Sequence, residues 1–191
     1  YDATAGEVLI GGRDVKSFEI PELRERIGIV PQKAVLFKGS IRDNMRWGKD
    51  DATDDEILAA AKTAQAADVI ESKGGLDFEI EQGGKNLSGG QRQRFTIARA
   101  LVRKPEILIL DDSASALDFA TDAALRRSIR EMDTNPTVFI VSQRTSSIQH
   151  ADKIIVLDDG KIAGIGKHDE LLNNCPVYSE IYNSQFKKEA V

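Results

Sequence analysis

The stretch EILILDDSASALD, residues 106–118, decides the fold class of this chain of 191 residues. Its first half is an apolar run of Ile and Leu, which is typical of a strand that a parallel sheet buries on both faces. The run ends on Asp111 and Asp112. The sequence therefore predicts a buried strand that carries two neighbouring carboxylates to its tip.

Four further apolar runs, rich in Val and Ile, predict additional strands. They are GEVLIGG (6–12), RIGIVP (26–31), TVFIVS (137–142) and KIIVLDD (153–159). Asp159 and Gly160 stand between the last run and KIAGIG, a pattern that predicts a hairpin turn and an antiparallel edge.

The segment of about 75 residues between the runs 26–31 and 106–112 carries no strong strand signal, and its length predicts a helical insert rather than a loop. Thr53 and Glu56 form a capping-box pattern before a helix that should reach about Ile70. A second such pattern, Ser88 with Gln91, precedes a helix with apolar side chains on one face, at Phe95, Ala98, Leu101 and Val102. Two later helices are expected over about 120–132 and 168–188.

The composition excludes several classes of protein. A net charge of −5 and a pI near 5.2 argue against a domain that mainly grips nucleic acid or anionic lipid. One cysteine, Cys175, excludes an internal disulfide framework and fits a reducing compartment. Neither His150 nor His168 has a Cys or His neighbour at ligand spacing, so a zinc site is not expected. No stretch approaches the ~18–20 apolar residues of a membrane span.

The segment NLSGGQRQRFTIARAL, residues 86–101, is the most specific stretch in the chain. Two glycines behind a Ser N-cap leave backbone N–H groups open at a helix N-terminus, where a phosphate oxygen is favoured. Together with the apolar strand that ends in Asp-Asp, this segment indicates a nucleotide site.

The order and spacing of four motifs resemble the nucleotide-binding domain of an ATP-binding cassette (ABC) transporter. LSGGQ (87–91) matches the signature of that family, ILILDD (107–112) its Walker B strand, SALD (115–118) its D-loop and VPQ (30–32) its Q-loop. The resemblance extends over essentially the whole chain, and the segments 36–48 and 166–186 are similar to exporter-type domains.

This resemblance implies an α/β fold of the P-loop NTPase (RecA-like) class, with a mostly parallel sheet and an inserted helical subdomain. It divides the chain into three parts. Residues 1–32 would form the first part of the core, 33–102 the helical subdomain with the signature, and 103–191 the rest of the core with the C-terminal helices.

The resemblance also assigns roles to particular residues. Gln32 would contact Mg²⁺ or the water near the γ-phosphate of ATP, and Asp111 would hold the magnesium shell. Asp118 would couple the two sites of a dimer, although a plain helix N-cap is an alternative for it. The residues of the signature that would bind ATP are Ser88, Gly89, Gly90 and Gln91.

Three departures from the family pattern bear on activity. The phosphate-binding pattern G-x-x-x-x-G-K-[ST] is absent from the sequence, and YDATAGEVLIGG resembles the region just after that loop. We therefore expect a chain that is truncated at its N-terminus and whose uncovered sheet promotes self-association.

The other two departures lie at the catalytic positions. Active members of the family carry Glu where this chain has Asp112, and a base withdrawn by roughly 1 Å loses on the order of 10²-fold in rate. Gln143 stands at the position of the switch histidine, and it cannot carry a proton at neutral pH. Both changes predict a weakened site.

From these features we predict the catalytically weakened subunit of a heterodimeric ABC exporter, at the cytoplasmic face of the membrane. Its partners would be a second nucleotide-binding domain and transmembrane domains that contact the Q-loop region and the helical subdomain, with no nucleic acid. Two alternatives remain: a homodimeric exporter that tolerates Asp112 and Gln143, and a soluble ABC ATPase of DNA repair or translation.

Overall fold

A computed structural model describes residues 3–113 and 115–186 of the chain. The chain forms two compact units, the first ending at Phe139 and the second beginning at Ile140. The three parts predicted from the sequence have other bounds, and they stay a prediction.

The described residues contain short strands and helices. The strands are β1 (Leu9–Ile10), β2 (Arg13–Asp14), β3 (Ile27–Val30), β4 (Gly39–Ser40), β5 (Glu79–Ile80), β6 (Ile107–Asp111), β7 (Thr137–Val141), β8 (Ile154–Asp158) and β9 (Lys161–Gly166). The helices are α1 (Ile20–Arg26), α2 (Ile41–Arg46), α3 (Asp54–Thr63), α4 (Ala67–Ser72), α5 (Gly89–Leu101), α6 (Phe119–Arg130), α7 (Thr145–Ile148), α8 (His168–Asn174) and α9 (Pro176–Phe186).

A three-stranded sheet has the order β3, β6, β7. Strands β3 and β6 are parallel and in register from Ile27 opposite Ile107 to Val30 opposite Leu110. Val30, Leu108 and Leu110 are buried, as expected for strands that a parallel sheet covers. The strands predicted at 26–31 and 106–112 are therefore confirmed, and the β6 tip carries Asp111.

The strand predicted over 6–12 is shorter than expected. Only Leu9–Ile10 is extended, and it pairs antiparallel with Arg13–Asp14. Gly11 and Gly12 have φ angles of 58° and 80°, a left-handed conformation that glycine adopts at little cost. These two glycines turn the chain back after two residues, so the apolar run forms a small hairpin.

A helical insert lies between β3 and β6, as predicted, and it contains α2 to α5. All four predicted apolar residues are buried: Phe95, Ala98 and Leu101 within α5, and Val102 as its C-cap. The insert also contains one feature that the sequence did not predict, because β4 and β5 pair antiparallel through Ser40 and Glu79. Two-residue strands are too short to produce a periodic pattern.

The single helix expected from Thr53 to about Ile70 is wrong, because the chain breaks between α3 and α4. The capping box of Thr53 and Glu56 does begin α3. Gln65, however, has a φ of 58°, and its backbone oxygen accepts a hydrogen bond from the Arg94 side chain. A left-handed residue cannot continue a right-handed helix, so α4 starts afresh.

The second unit is built around the β8–β9 hairpin and helices α7 to α9. Asp159 and Gly160 have φ angles of 46° and 72°, which confirms the predicted hairpin turn. One face of the hairpin packs on the helices, and the buried core comprises Ile154, Val156, Leu171, Cys175 and Tyr178. Cys175 is a free, buried thiol.

The helix expected over 168–188 is also divided in two. Pro176 lacks a backbone N–H and forces the residue before it away from helical angles. Cys175 accordingly has φ −122° and ψ 100°, so α8 ends there and α9 begins at Pro176. In the described part of the chain, no helix is both long and apolar enough to cross a membrane.

The outer face of the β8–β9 hairpin is aliphatic and exposed. Ile155 stands opposite Ile165 and Leu157 opposite Ile162, and Leu157 and Ile162 are 66% and 61% exposed. Four aliphatic side chains on one face of a hairpin make a contiguous apolar surface, and such surfaces promote association.

We expect the 191-residue chain to self-associate through this face. The double substitution Leu157→Lys and Ile162→Lys should weaken association by at least about tenfold, or ~1.4 kcal/mol, measured by sedimentation velocity over a concentration series. Asp158→Lys, which adds positive charge on the same hairpin without removing apolar area, serves as the control. A parent chain that stays monomeric at high concentration contradicts the prediction.

Candidate nucleotide site

Parallel pairing of β3 with β6 brings two predicted site residues together. Gln32 follows β3 by two residues and Asp112 follows β6 by one. The side-chain N–H of Gln32 donates to Asp112 Oδ2 at 3.1 Å, across a sequence separation of 80 residues. Because carboxyl ends of parallel strands share one edge of a sheet, this edge is the candidate site.

The backbone of Asp112 is held in an unusual conformation. Its φ of 43° lies in the left-handed region, which few residues other than glycine adopt. The backbone oxygen of Asp112 accepts hydrogen bonds from the N–H and the hydroxyl of Ser115, at 3.2 Å and 2.8 Å. The turn therefore sets the direction of the Asp112 side chain, and Gln32 restrains its carboxylate.

Asp111 and Gln32 offer oxygen atoms that suit Mg²⁺. Asp111 is exposed at the end of β6. The Gln32 amide donates through nitrogen to Asp112, so its oxygen stays available as a ligand. Among the described residues, no cluster of three or more His, Cys, Asp or Glu could hold a metal. Mg²⁺ usually takes one or two protein ligands and completes its shell with phosphates and water.

The signature helix α5 begins as the sequence predicted. Ser88 Oγ accepts from the Gln91 N–H at 3.2 Å, and Gln91 Oε1 accepts from the Ser88 N–H at 2.9 Å. This reciprocal capping box leaves the N–H groups of Gly89 and Gly90 without intrahelical acceptors. Ser88 and Gly89 are exposed, so the positive end of the helix dipole faces solvent.

The start of α5 lies against the segment that follows the Asp-Asp pair. A side chain on Gly90 would place its Cβ 3.2 Å from the Ala116 backbone oxygen. This distance is tight for most carbon contacts, and glycine at position 90 therefore allows the approach. The signature and the SALD segment are neighbours within the first unit.

Asp118 is the N-cap of α6, as the alternative interpretation of this residue predicts. Its side chain accepts from the Thr121 N–H at 2.9 Å and from the Thr121 hydroxyl at 2.7 Å. These hydrogen bonds, the backbone one first, lower the pKa of the exposed Asp118 carboxyl. A role of Asp118 toward a second chain stays a prediction.

Gln143 lies in the second unit, whereas all other predicted site residues belong to the first. It is exposed, two residues after β7, and its backbone oxygen accepts from the Gln185 side chain at 2.6 Å. Gln185 also accepts from the Thr145 N–H at 3.0 Å. Helix α9 thus restrains the backbone around Gln143.

The sequence did not identify two contributors to this site. Ser115 fixes the Asp112 backbone, and its signal was a Ser three residues after an Asp, a common turn pattern. Ala116 approaches Gly90 through its backbone oxygen. Because every residue has such an oxygen, the residue type does not predict this contact.

Comparison with known proteins agrees with this geometry. A family model described as ABC transporter matches residues 1–115. The chain is 44% identical over 187 residues to an uncharacterized ABC transporter ATP-binding protein of Mycobacterium tuberculosis (strain ATCC 25618 / H37Rv), covering 97% of this chain and 32% of that protein. It is 43% identical over 188 residues to the beta-(1→2)glucan export ATP-binding/permease protein NdvA of Rhodopseudomonas palustris (strain BisA53), covering 97% and 31%.

A solved structure is also similar. A bacterial Atm1-family ABC exporter with ATP bound aligns with a TM-score of 0.91 and 40% sequence identity, over 97% of this chain and 33% of that one. This likeness confirms the predicted fold class. The chain spans about a third of the length of the proteins it matches.

The capping box of α5 generates a stability prediction. Ser88→Ala should lower the free energy of unfolding by about 1 kcal/mol, because the Gln91 N–H loses its acceptor. Ser88→Asp should keep most of the stability, because Asp is an equally good N-cap. Urea unfolding followed by the fluorescence of Trp47, the single tryptophan, measures both. Equal stability of Ser88→Ala and the parent chain would show that the cap contributes nothing.

Proposed function

This chain belongs to the ABC transporter family as a nucleotide-binding domain of exporter type, and we propose that it is the catalytically weakened half of a heterodimeric exporter. Domains of this family bind ATP and are ATPases in general. In the proposed dimer each ATP is held between the Walker side of one domain and the signature of the other. This chain contributes a slow Walker side and a competent signature.

The observation that carries the proposal is the hydrogen bond from Gln32 to Asp112 at 3.1 Å. It supports Asp112 as the residue at the position of the general base. An aspartate in place of the family's glutamate stands back by one methylene, roughly 1 Å. A misplacement of this size costs on the order of 10²-fold in rate, and Gln143 adds no proton or charge to compensate.

The N-terminus of α5, by contrast, supports a competent role in the ATP site of the partner domain. Ser88 and Gly89 are exposed at the start of a helix of 13 residues, and the helix dipole favours an anion there. A γ-phosphate bound by the partner domain would meet these groups. The intact capping box keeps the N-terminus of α5 ordered for that contact.

We assign Asp111 and Gln32 to the magnesium ion and Ser88, Gly89, Gly90 and Gln91 to the partner's ATP. The ion would supply charge neutralisation for the phosphates. Binding of the ion and the phosphates would then affect Asp112 through Gln32, because the same amide also restrains the Asp112 carboxylate. Asp118 would contribute to contact between the two domains.

The proposed partners are a second nucleotide-binding domain and a transmembrane part at the cytoplasmic face of the membrane. Contact with the transmembrane part would involve the Q-loop region and the helical insert, since both lie in the first unit with exposed surface. The acidic net charge of −5 argues against nucleic acid as a partner. The export functions named for the similar proteins argue against DNA repair or translation.

Because Asp112 and Ser88 would serve different ATP sites, substitutions of these two residues should change the rate of ATP hydrolysis to different extents. In a full-length heterodimer, Asp112→Ala in this subunit should change steady-state ATP hydrolysis by less than about twofold, because its site is already slow. Ser88→Asp should lower hydrolysis by ~10²–10³, because it places a negative charge where the partner's phosphate binds. An enzyme-coupled ATPase assay at saturating ATP measures both rates.

Ser88→Asp keeps the N-cap, so its effect separates phosphate repulsion from loss of folding. Asp112→Glu combined with Gln143→His should raise the rate of the slow site, as a gain-of-function control. An Asp112→Ala variant as impaired as Ser88→Asp would establish Asp112 as a working base and favour the homodimeric alternative.

The 191-residue chain alone should bind ATP·Mg²⁺ weakly. It contains no G-x-x-x-x-G-K-[ST] pattern. Without the backbone N–H groups of such a loop, the negative charge of phosphates beside Asp111 and Gln32 is not neutralised. Titration calorimetry should give a dissociation constant above about 1 mM, equivalent to a binding free energy weaker than ~4 kcal/mol. Micromolar binding by the isolated chain would contradict this expectation.

A further inference from the structure

Gln65 occupies the first position after the C-cap of α3. Its N–H donates to the Lys62 oxygen at 3.1 Å, and the N–H of Ala66 donates to the Ala61 oxygen at 2.7 Å. These two hydrogen bonds form a Schellman motif, in which the residue at this position is left-handed and is usually glycine. The motif therefore explains the φ of 58° at Gln65, but it does not require a glutamine side chain.

The side chain of Gln65 connects the helical insert to α6. Its Nε2 donates to Ser128 Oγ at 2.9 Å, across a sequence separation of 63 residues. The same Nε2 lies 3.3 Å from the backbone oxygens of Lys62 and Thr63, at the end of α3. Because an amide nitrogen carries two hydrogens, one can bond the end of α3 while the other bonds α6. We call the hydrogen bond between Gln65 and Ser128 the 65–128 link.

The backbone of Gln65 holds the signature helix α5. The Gln65 oxygen accepts a hydrogen bond from Nη1 of Arg94, a residue of α5. Arg94 also forms an ion pair with Asp68 of α4 at 2.9 Å, and only 17% of the Arg94 side chain is exposed. Gln65 thus contacts both helices, because its backbone oxygen accepts from α5 and its side chain donates to α6.

Helices α5 and α6 are therefore related to each other at two places. Near their first turns, Gly90 of α5 approaches the backbone oxygen of Ala116, just before α6. Farther along, Arg94 lies about 8 Å from the start of α5 and Ser128 about 14 Å from the start of α6, at a rise of ~1.5 Å per residue. One contact alone would let the helices swing about it, whereas two contacts fix the angle between them. The 65–128 link belongs to the second contact.

We propose that Gln65 is a positioning residue, which through the 65–128 link sets the angle between the signature helix α5 and the D-loop helix α6. Ser88 caps the start of α5 and Asp118 caps the start of α6. The angle between the helices therefore decides how the signature and the D-loop are placed relative to each other at a bound nucleotide. This inference rests on the proposed function in assigning the affected turnover to the partner's ATP site.

A change in this angle should affect the chemical step more than nucleotide binding. A misplacement of about 1 Å can cost on the order of 10²-fold in rate. Neither Gln65 nor Ser128 is assigned to ATP or Mg²⁺, so loss of the 65–128 link leaves the binding groups themselves in place. A substitution that weakens only the transition state lowers kcat and leaves KM unchanged. The expected result is therefore a lower kcat with an unchanged KM for ATP.

The test uses two substitutions that break the 65–128 link without weakening their own helices. Gln65→Gly suits the left-handed position of the Schellman motif, and Ser128→Ala places the best helix former in α6. In this subunit of the full-length heterodimer, each should lower kcat at least about fivefold and change the KM for ATP by less than about twofold. An enzyme-coupled ATPase assay over a series of ATP concentrations measures both constants.

A double substitution and two controls assign the effect to the link. Gln65→Gly combined with Ser128→Ala should lower kcat no further than either change alone, because both remove the same hydrogen bond. Ser128→Thr keeps a hydroxyl acceptor and should retain at least about half of the parent kcat. Ser72→Ala is the matched control, because the Ser72 hydroxyl donates to the Val69 oxygen within α4 at 2.9 Å. It should leave kcat unchanged.

Urea unfolding of the 191-residue chain, followed by the fluorescence of Trp47, separates positioning from folding. The midpoints of Gln65→Gly and Ser128→Ala should equal that of the parent chain. The proposal is overturned by an unchanged kcat in either variant, by a raised KM at the same kcat, by additive losses in the double variant, or by a kcat that falls only together with the urea midpoint.

The proposed function is tested separately, by Asp112→Ala. If Asp112 proves to be a working base in a homodimer, both ATP sites still use helices α5 and α6 of this chain, and Gln65→Gly still lowers kcat. Failure of the 65–128 link is therefore distinguishable from failure of the proposed function.

Discussion

The pairing of β3 with β6 is the contact on which the rest of the site depends. It joins residues about 80 positions apart in the chain and sets two strand ends side by side. Without this register Gln32 could not reach Asp112, since a shift by one residue would turn every side chain to the opposite face. Buried Val30, Leu108 and Leu110 stabilise the register by roughly 1.5–3 kcal/mol each.

The long helical insert is compatible with this pairing because polymer entropy grows slowly with length. Closing a connection of about 75 residues costs only ~2–3 kcal/mol more than closing one of five residues. The buried core of α5 offsets that cost, because Phe95 alone contributes a comparable amount. Glycine at position 28 of β3 then allows close approach, since a Cβ there would lie 3.1 Å from the Ala100 backbone oxygen. The strand that positions Gln32 is thus packed directly on the end of the signature helix.

Features with a repeating or capping signal could be predicted from the sequence, and features made by backbone geometry could not. The buried strands, the α5 capping box and the hairpin at Asp159 follow from residue type at fixed spacing. The break at Gln65 does not, because a left-handed glutamine needs the Arg94 side chain, 29 residues away, to hold its carbonyl.

Asp112 combines two properties that both support the proposal of a slow ATP site. Its carboxylate is one methylene shorter than glutamate, and its backbone is held in a left-handed turn by Ser115. A flexible turn could move a short acid forward, but this one is restrained both at the carbonyl, by Ser115, and at the carboxylate, by Gln32. In the proposed weakened site, this restraint would keep the backbone from compensating for the missing methylene. The signature end of the chain, where Ser88 and Gln91 cap an exposed helix start, carries no comparable loss. The proposed slow Walker side beside an intact signature is the combination expected if the two ends of this domain serve two different ATP sites.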